Sequence, residues 1–303
     1  MRAAIRPSAD ISRQLTLPEH AIATPTGHDT AIPTSFPNPT VADIDARLDD
    51  ICVNEGVCIP WAIESGSRAW GFPSPDSDFD CRFVFVRPIE QHLSPWLRRD
   101  VIETPLVGEL DVNGWDLAKA FKLLLKGNAV IIEWLRSPII YRGQRWFRDE
   151  LLGFATRFAD RDLIAKHYLH LGERQRRGYF ADRTNVPQKK IFYALRPAAT
   201  LRWLRQHPDA AIAPMHFPTL MSECEPPVEL ASLVAQLIER KSVTRELGSE
   251  PLPATIAVFI DDEFELARTT FALRAEPASA DARTQAEVLY RKLVHQAFAT
   301  APS

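Results

Sequence analysis

The sequence predicts an α+β fold: a sheet-bearing unit with flanking helices over residues 41–143, followed by an all-helical region over 144–303. Three observations carry this reading. Between 41 and 55, Ile44, Leu48 and Ile51 recur at helical intervals, so this stretch predicts a helix packed on a sheet. Two apolar runs, around Ile59, Ala62 and Ile63 and from Phe79 to Val86, have strand length and are separated by a turn-rich loop. From Gln144 onward the helical period dominates, with Pro and Gly between segments.

In chain order, residues 1–40 mix Pro, Thr, Ser and His without sustained periodicity and predict an extended or disordered arm. The first strand ends at Glu64 and Ser65, where Gly66-Ser67 turns the chain into a short helix. Backbone N–H groups at such a turn can face phosphate oxygens; Gly66 permits close approach and Ser67 adds a hydroxyl. Gly71, Pro73, Ser74, Pro75 and Ser77 form the loop to the second strand, which Asp78 and Asp80 open. Strand alternation places Asp78 and Asp80 on one face and Phe79 and Cys81 on the other. Adjacent carboxylates of this kind suit a hard cation, Mg²⁺ or Mn²⁺, bridged to a nucleoside triphosphate, and suit zinc less well. Leu106, Val107, Leu110 and Val112 predict a further strand ending at Gly114-Trp115, before a helix that begins near Asp116. The main helical candidates beyond are 151–158, 163–180, 189–206, 227–245, 261–273 and 282–298.

Gly66-Ser67 followed by Ser77-Asp78-Phe79-Asp80 resembles the signature of the DNA polymerase beta-like nucleotidyltransferase superfamily. The longer text from Gly66 through Arg68, Trp70 and Gly71 to Asp80 is similar to its YcgL/RlaP branch. So are the segments from Asp111 to Ala120, from Asn128 to Tyr141, and from Lys189 to Pro197. The resemblance covers about residues 40–245 and implies the minimal nucleotidyltransferase mixed sheet. It also implies a third carboxylate on a neighbouring strand, which would help hold the metal and deprotonate the attacking hydroxyl. Asp111 is the choice, with Glu109 and Asp116 as competitors; Asp116 equally fits a helix N-terminal carboxylate. The branch is associated with RNA repair, which makes RNA ends the expected acceptors beside an NTP donor. Transfer to a protein or small molecule, and a noncatalytic nucleotide- or RNA-binding regulator on the same fold, are the alternatives.

Further phosphate contacts are expected from Arg68, Lys189, Lys190 and Arg196, with Tyr193 either stacking on a base or packing in the core. Arg174, Arg176 and Arg177 divide evenly between phosphate contact and a solvated helix face. Trp70, Trp115, Trp134 and Trp203 read mainly as packing anchors, and Trp70, between Gly66 and Asp78, is the one of them expected to approach the substrate. His167 and His170 lack partners at metal-ligand spacing.

A chain of 303 residues with 46% hydrophobic content can bury a substantial core. No stretch approaches a membrane span and no apolar leader follows Met1, so the expectation is a cytoplasmic enzyme of open oligomeric state. A net charge of −3 argues against a wholly basic nucleic-acid surface while allowing a local basic channel. Cys52, Cys58, Cys81 and Cys224 have no zinc or disulfide spacing and read as core thiols.

Overall fold

The computed structural model describes residues 29–96, 98–245, 248–272 and 278–299. The N-terminal half contains β1 (Asp29–Ala31), α1 (Asn38–Glu55), β2 (Cys58–Glu64), α2 (Gly66–Trp70), β3 (Phe79–Val86), α3 (Ile89–His92), β4 (Val101–Glu103), β5 (Leu110–Asp116), α4 (Leu117–Leu124), α5 (Ala129–Arg136) and β6 (Ile140–Gly143). The strands form one six-stranded sheet in the order β1-β6-β2-β3-β5-β4. Only β3 and β5 run parallel; the other neighbours are antiparallel. The predicted α+β class, with its mixed sheet, is therefore present.

Side-chain alternation divides the sheet into two faces. Cys81, Phe83 and Phe85 of β3 join Ile44, Leu48 and Ile51 of α1 in one buried cluster. Val84 and Val86, with Trp61 and Ile63 of β2, belong to a second and larger cluster continuous with the helical half. Trp61 is fully buried, and its indole N–H donates to the Trp134 carbonyl at 2.9 Å, so its polar atom is satisfied inside the core. Each such buried apolar side chain contributes roughly 1.5–3 kcal/mol.

The helical half contains α6 (Arg145–Phe158), α7 (Arg161–Tyr179), α8 (Gln188–Gln206), α9 (Phe217–Glu223), α10 (Val228–Val243), α11 (Ala254–Thr270) and α12 (Ala280–Ala299). Two-residue strands β7 (Val186–Pro187) and β8 (Ser249–Glu250) pair within it. The six predicted helices correspond to α6, α7, α8, α10, α11 and α12, with several ends displaced.

Three local expectations change. The strand expected from Leu106 begins at Leu110. Leu106 and Val107 lie in the preceding turn, 63% and 55% exposed, and Val107 makes only an isolated bridge to Leu110. The strand also runs on through Gly114 and Trp115 to Asp116. Of the expected arm, residues 1–28 lie outside the described residues, while Asp29–Ala31 forms β1 on β6 and Asn38 already starts α1.

Candidate active site

The site begins where β2 hands over to α2. Ser65, in extended conformation, donates its N–H to the Asp80 carbonyl at 2.8 Å. Gly66 follows with φ +61°, and a Cβ placed there would lie 2.0 Å from Asp80 Oδ2. Glycine is thus required twice, for the left-handed backbone and for the carboxylate packed against it. The expected turn at Gly66-Ser67 therefore lies directly against Asp80.

The loop into β3 is held by its own polar groups. Ser67 Oγ donates to Ser77 Oγ at 2.9 Å, and the Ser74 N–H donates to the same oxygen at 2.9 Å. Arg68 donates to the carbonyls of Ser77 (2.6 Å) and Asp78 (3.1 Å), and its guanidinium lies 3.8 Å over the Phe79 ring. Arg68 thus braces the chain leading to the carboxylates.

Asp80 lies opposite Asp111 in the β3–β5 register. One guanidinium joins them: Arg82 Nη2 donates to Asp80 Oδ1 at 3.0 Å and to Asp111 Oδ2 at 2.6 Å. Arg82 Nη1 also donates to the Asp111 carbonyl at 2.8 Å, and Asn113 Nδ2 donates to Asp111 Oδ1 at 2.5 Å. Burial raises the Asp80 carboxyl above its ordinary value, Arg82 opposes that rise, and the charges of Asp111 and Asp78 add to it. Asp78 itself precedes β3 and is exposed at the end of the loop. Among the described residues no three His, Cys, Asp or Glu side chains are gathered closely enough to hold a metal ion. The donor chemistry nevertheless fits magnesium: hard carboxylate oxygens from two neighbouring strands converge, with a third carboxylate on the adjoining loop.

The competing acids lie elsewhere. Asp116 caps α4 by accepting the Ala118 N–H at 2.7 Å and sits 3.4 Å from Arg87 Nε, on the β5 face opposite Asp111. Glu109 precedes β5, and its carbonyl accepts the Phe79 N–H at 2.7 Å. Sequence reasoning missed Glu64, which is fully buried, accepts the Asp80 N–H at 3.0 Å and accepts a hydrogen bond from the Tyr141 hydroxyl. Burial pushes its carboxyl up to about 8.

The helical half forms the opposite wall. Tyr193 of α8 is 37% exposed; burial, then the charges of Asp80 and Asp78, raises its pKa. Lys190 Nζ lies 4.7 Å and 4.9 Å from the rings of Tyr179 and Tyr193, and Trp70 meets Tyr193 edge to face. Lys189 is exposed beside them. Arg196, by contrast, is buried. It pairs with both oxygens of Glu133 at 2.9 and 3.1 Å and stacks 4.2 Å from Trp70, while Tyr168 donates to the same carboxylate. Arg176 is bound to Asp261 at 2.6 Å and Arg177 lies 3.6 Å from Glu173. Lys241, unforeseen from sequence, is 5% exposed and donates to the Phe72 carbonyl at 2.6 Å, so α10 reaches the loop that carries Asp78.

The turn, the paired carboxylates and the surrounding sheet are accompanied by a family match over residues 41–292 to RlaP, the RNA repair pathway DNA polymerase beta family. The chain belongs to that family, and so to the DNA polymerase beta-like proteins, whose class chemistry is nucleotidyl transfer. It is also 39% identical over 210 residues to the uncharacterized protein YcgL of Bacillus subtilis (strain 168), covering 69% of this chain and 80% of the relative.

Proposed function

We propose that the chain is a divalent-metal-dependent nucleotidyltransferase that moves a nucleoside monophosphate from an NTP to the hydroxyl of an RNA end. The observation that carries this reading is the in-register pair Asp80–Asp111, packed against the left-handed Gly66 turn. Asp80, Asp111 and Asp78 would hold Mg²⁺ or Mn²⁺, which when bound would neutralise the triphosphate and polarise the α-phosphate. The backbone of Gly66-Ser67 offers N–H donors to the phosphates at the start of α2. Asp111 accepts the proton of the acceptor hydroxyl, whose oxygen bonds to the α-phosphorus. The α–β bridging bond breaks and pyrophosphate leaves. Lys189 and Lys190 face the phosphates, and Tyr193 supplies a stacking surface for the acceptor's terminal base.

The test is incubation with each α-³²P-labelled NTP, Mg²⁺ or Mn²⁺, and RNA of defined ends, with Asp80→Ala as control. Label on RNA with the wild type alone is the expected result. Label on the protein would move the reading to protein nucleotidylation. Nucleotide binding without label anywhere would make the chain a noncatalytic regulator.

A further inference from the structure

Arg82 occupies a position that two metal-binding carboxylates would need to share. It stands two residues after Asp80 on β3, so strand alternation puts it on the same face. Its Nη2 touches one oxygen of Asp80 and one of Asp111, and the side chain is only 18% exposed. A cation bridging Asp80 and Asp111 competes for those same two oxygens. Resting on the metal-dependent reading above, we infer that Arg82 is a charge gate: the guanidinium opposes binding of a divalent ion alone, and the ion enters together with the nucleotide.

The argument is one of charge balance. Two carboxylates paired with one guanidinium carry a single net negative charge. A divalent ion displacing the guanidinium neutralises Asp80 and Asp111, the two acids with which Arg82 forms its ion pairs, while Asp78 stands exposed at the end of the loop; the guanidinium is then left without a contacting counter-charge in a partly desolvated site, which is unfavourable. A triphosphate supplies that counter-charge, because guanidinium groups bind phosphate oxygens as readily as carboxylates. Arg68 does not compete for that role, because its guanidinium is committed to the Ser77 and Asp78 carbonyls. Metal and nucleotide therefore bind with positive coupling, each raising the affinity of the other by the same factor. Arg82 is a positioning residue in this account, acting through the two carboxylates.

The experiment measures Mn²⁺ binding by electron paramagnetic resonance, with and without a mixture of the four α,β-methylene NTP analogues, in mildly alkaline buffer. The wild type is expected to bind Mn²⁺ weakly alone and much more tightly with the analogues. Arg82→Gln is expected to bind Mn²⁺ alone about tenfold more tightly than wild type and to lose most of the nucleotide enhancement. Arg82→Lys, which keeps the charge, should behave like wild type; Arg82→Met, which also removes the charge, replaces Arg82→Gln if that variant folds poorly. Equal Mn²⁺ affinity of wild type with and without analogue, or no tighter binding by Arg82→Gln, overturns the gate while leaving a metal-dependent enzyme intact. Absence of Mn²⁺ binding in every protein and condition overturns the metal-dependent reading itself.

Discussion

Phe72 stacks on Phe192 with ring centroids 4.6 Å apart and an interplanar angle of 17°. Phe217 meets Phe72 edge to face at 5.6 Å, and Lys241 binds its carbonyl. The loop between α2 and β3 is therefore anchored from α8, α9 and α10, which makes the helical half part of the site. Phe72 is 1% exposed, so Phe72→Ala should cost about 3–5 kcal/mol in urea denaturation. A loss below about 1 kcal/mol would mean that the loop is held by something else.

Asp80→Ala and Asp111→Ala should each reduce nucleotidyl transfer to the level of a no-enzyme control while leaving the circular dichroism spectrum unchanged. Both side chains are partly exposed and make polar contacts at the edge of the core. Full turnover in either variant would refute the assigned chemistry.

Two glycines with matching backbone provide an internal comparison. Gly66 and Gly108 have φ of +61° and +60°, but a Cβ at Gly108 meets nothing within 4 Å. Gly108→Ala should cost only the left-handed penalty, about 1–2 kcal/mol, with activity retained. Gly66→Ala carries the same strain and also displaces Asp80, so transfer should collapse. Equal activity in the two variants would show that the Gly66–Asp80 packing is dispensable.

Burial lowers the Lys241 amine from its ordinary 10.5 to about 8. The folded state binds fewer protons than the unfolded state between these values, so stability rises with pH across that window. Below about 8 the cost of burying the charge is fully present. Relative to Lys241→Met, the wild type should therefore gain melting temperature from pH 8 to 10.5. A constant difference would indicate an ordinary, solvated amine.

Tyr193→Ala should raise KM for the RNA acceptor about tenfold and leave KM for the NTP unchanged, since stacking on one aromatic ring contributes about 1–3 kcal/mol. A shift confined to the NTP would place the donor base on Tyr193 instead.

What could be read from sequence followed the reach of local patterns. The periodicity of Ile44, Leu48 and Ile51 located α1 because one face of that helix is buried and the other solvated. The Gly66-Ser67 turn and the Asp80 strand were legible because φ and alternation are local properties. α5 gave no such pattern: Ile131, Ile132, Glu133, Trp134 and Leu135 are all buried, so no solvent face marks the period. Arg196 looked like a phosphate ligand because nothing adjacent in sequence announces Glu133 as its partner. Lys241 and Phe72 meet across a separation of 169 positions, beyond any local rule. Arg82 could have been found, since alternation alone puts it on the Asp80 face.

β6 supplies the last strand of the sheet to be synthesised, yet it lies between β1 and β2. β2 is buried along its whole length and is apolar except at Glu64. On a ribosome, a nascent chain that has not yet reached Ile140 therefore presents β2 with one unpaired, hydrophobic edge, a template for joining other chains. Completion of this sheet during translation thus waits on a four-residue strand, whose emergence covers the open edge of β2.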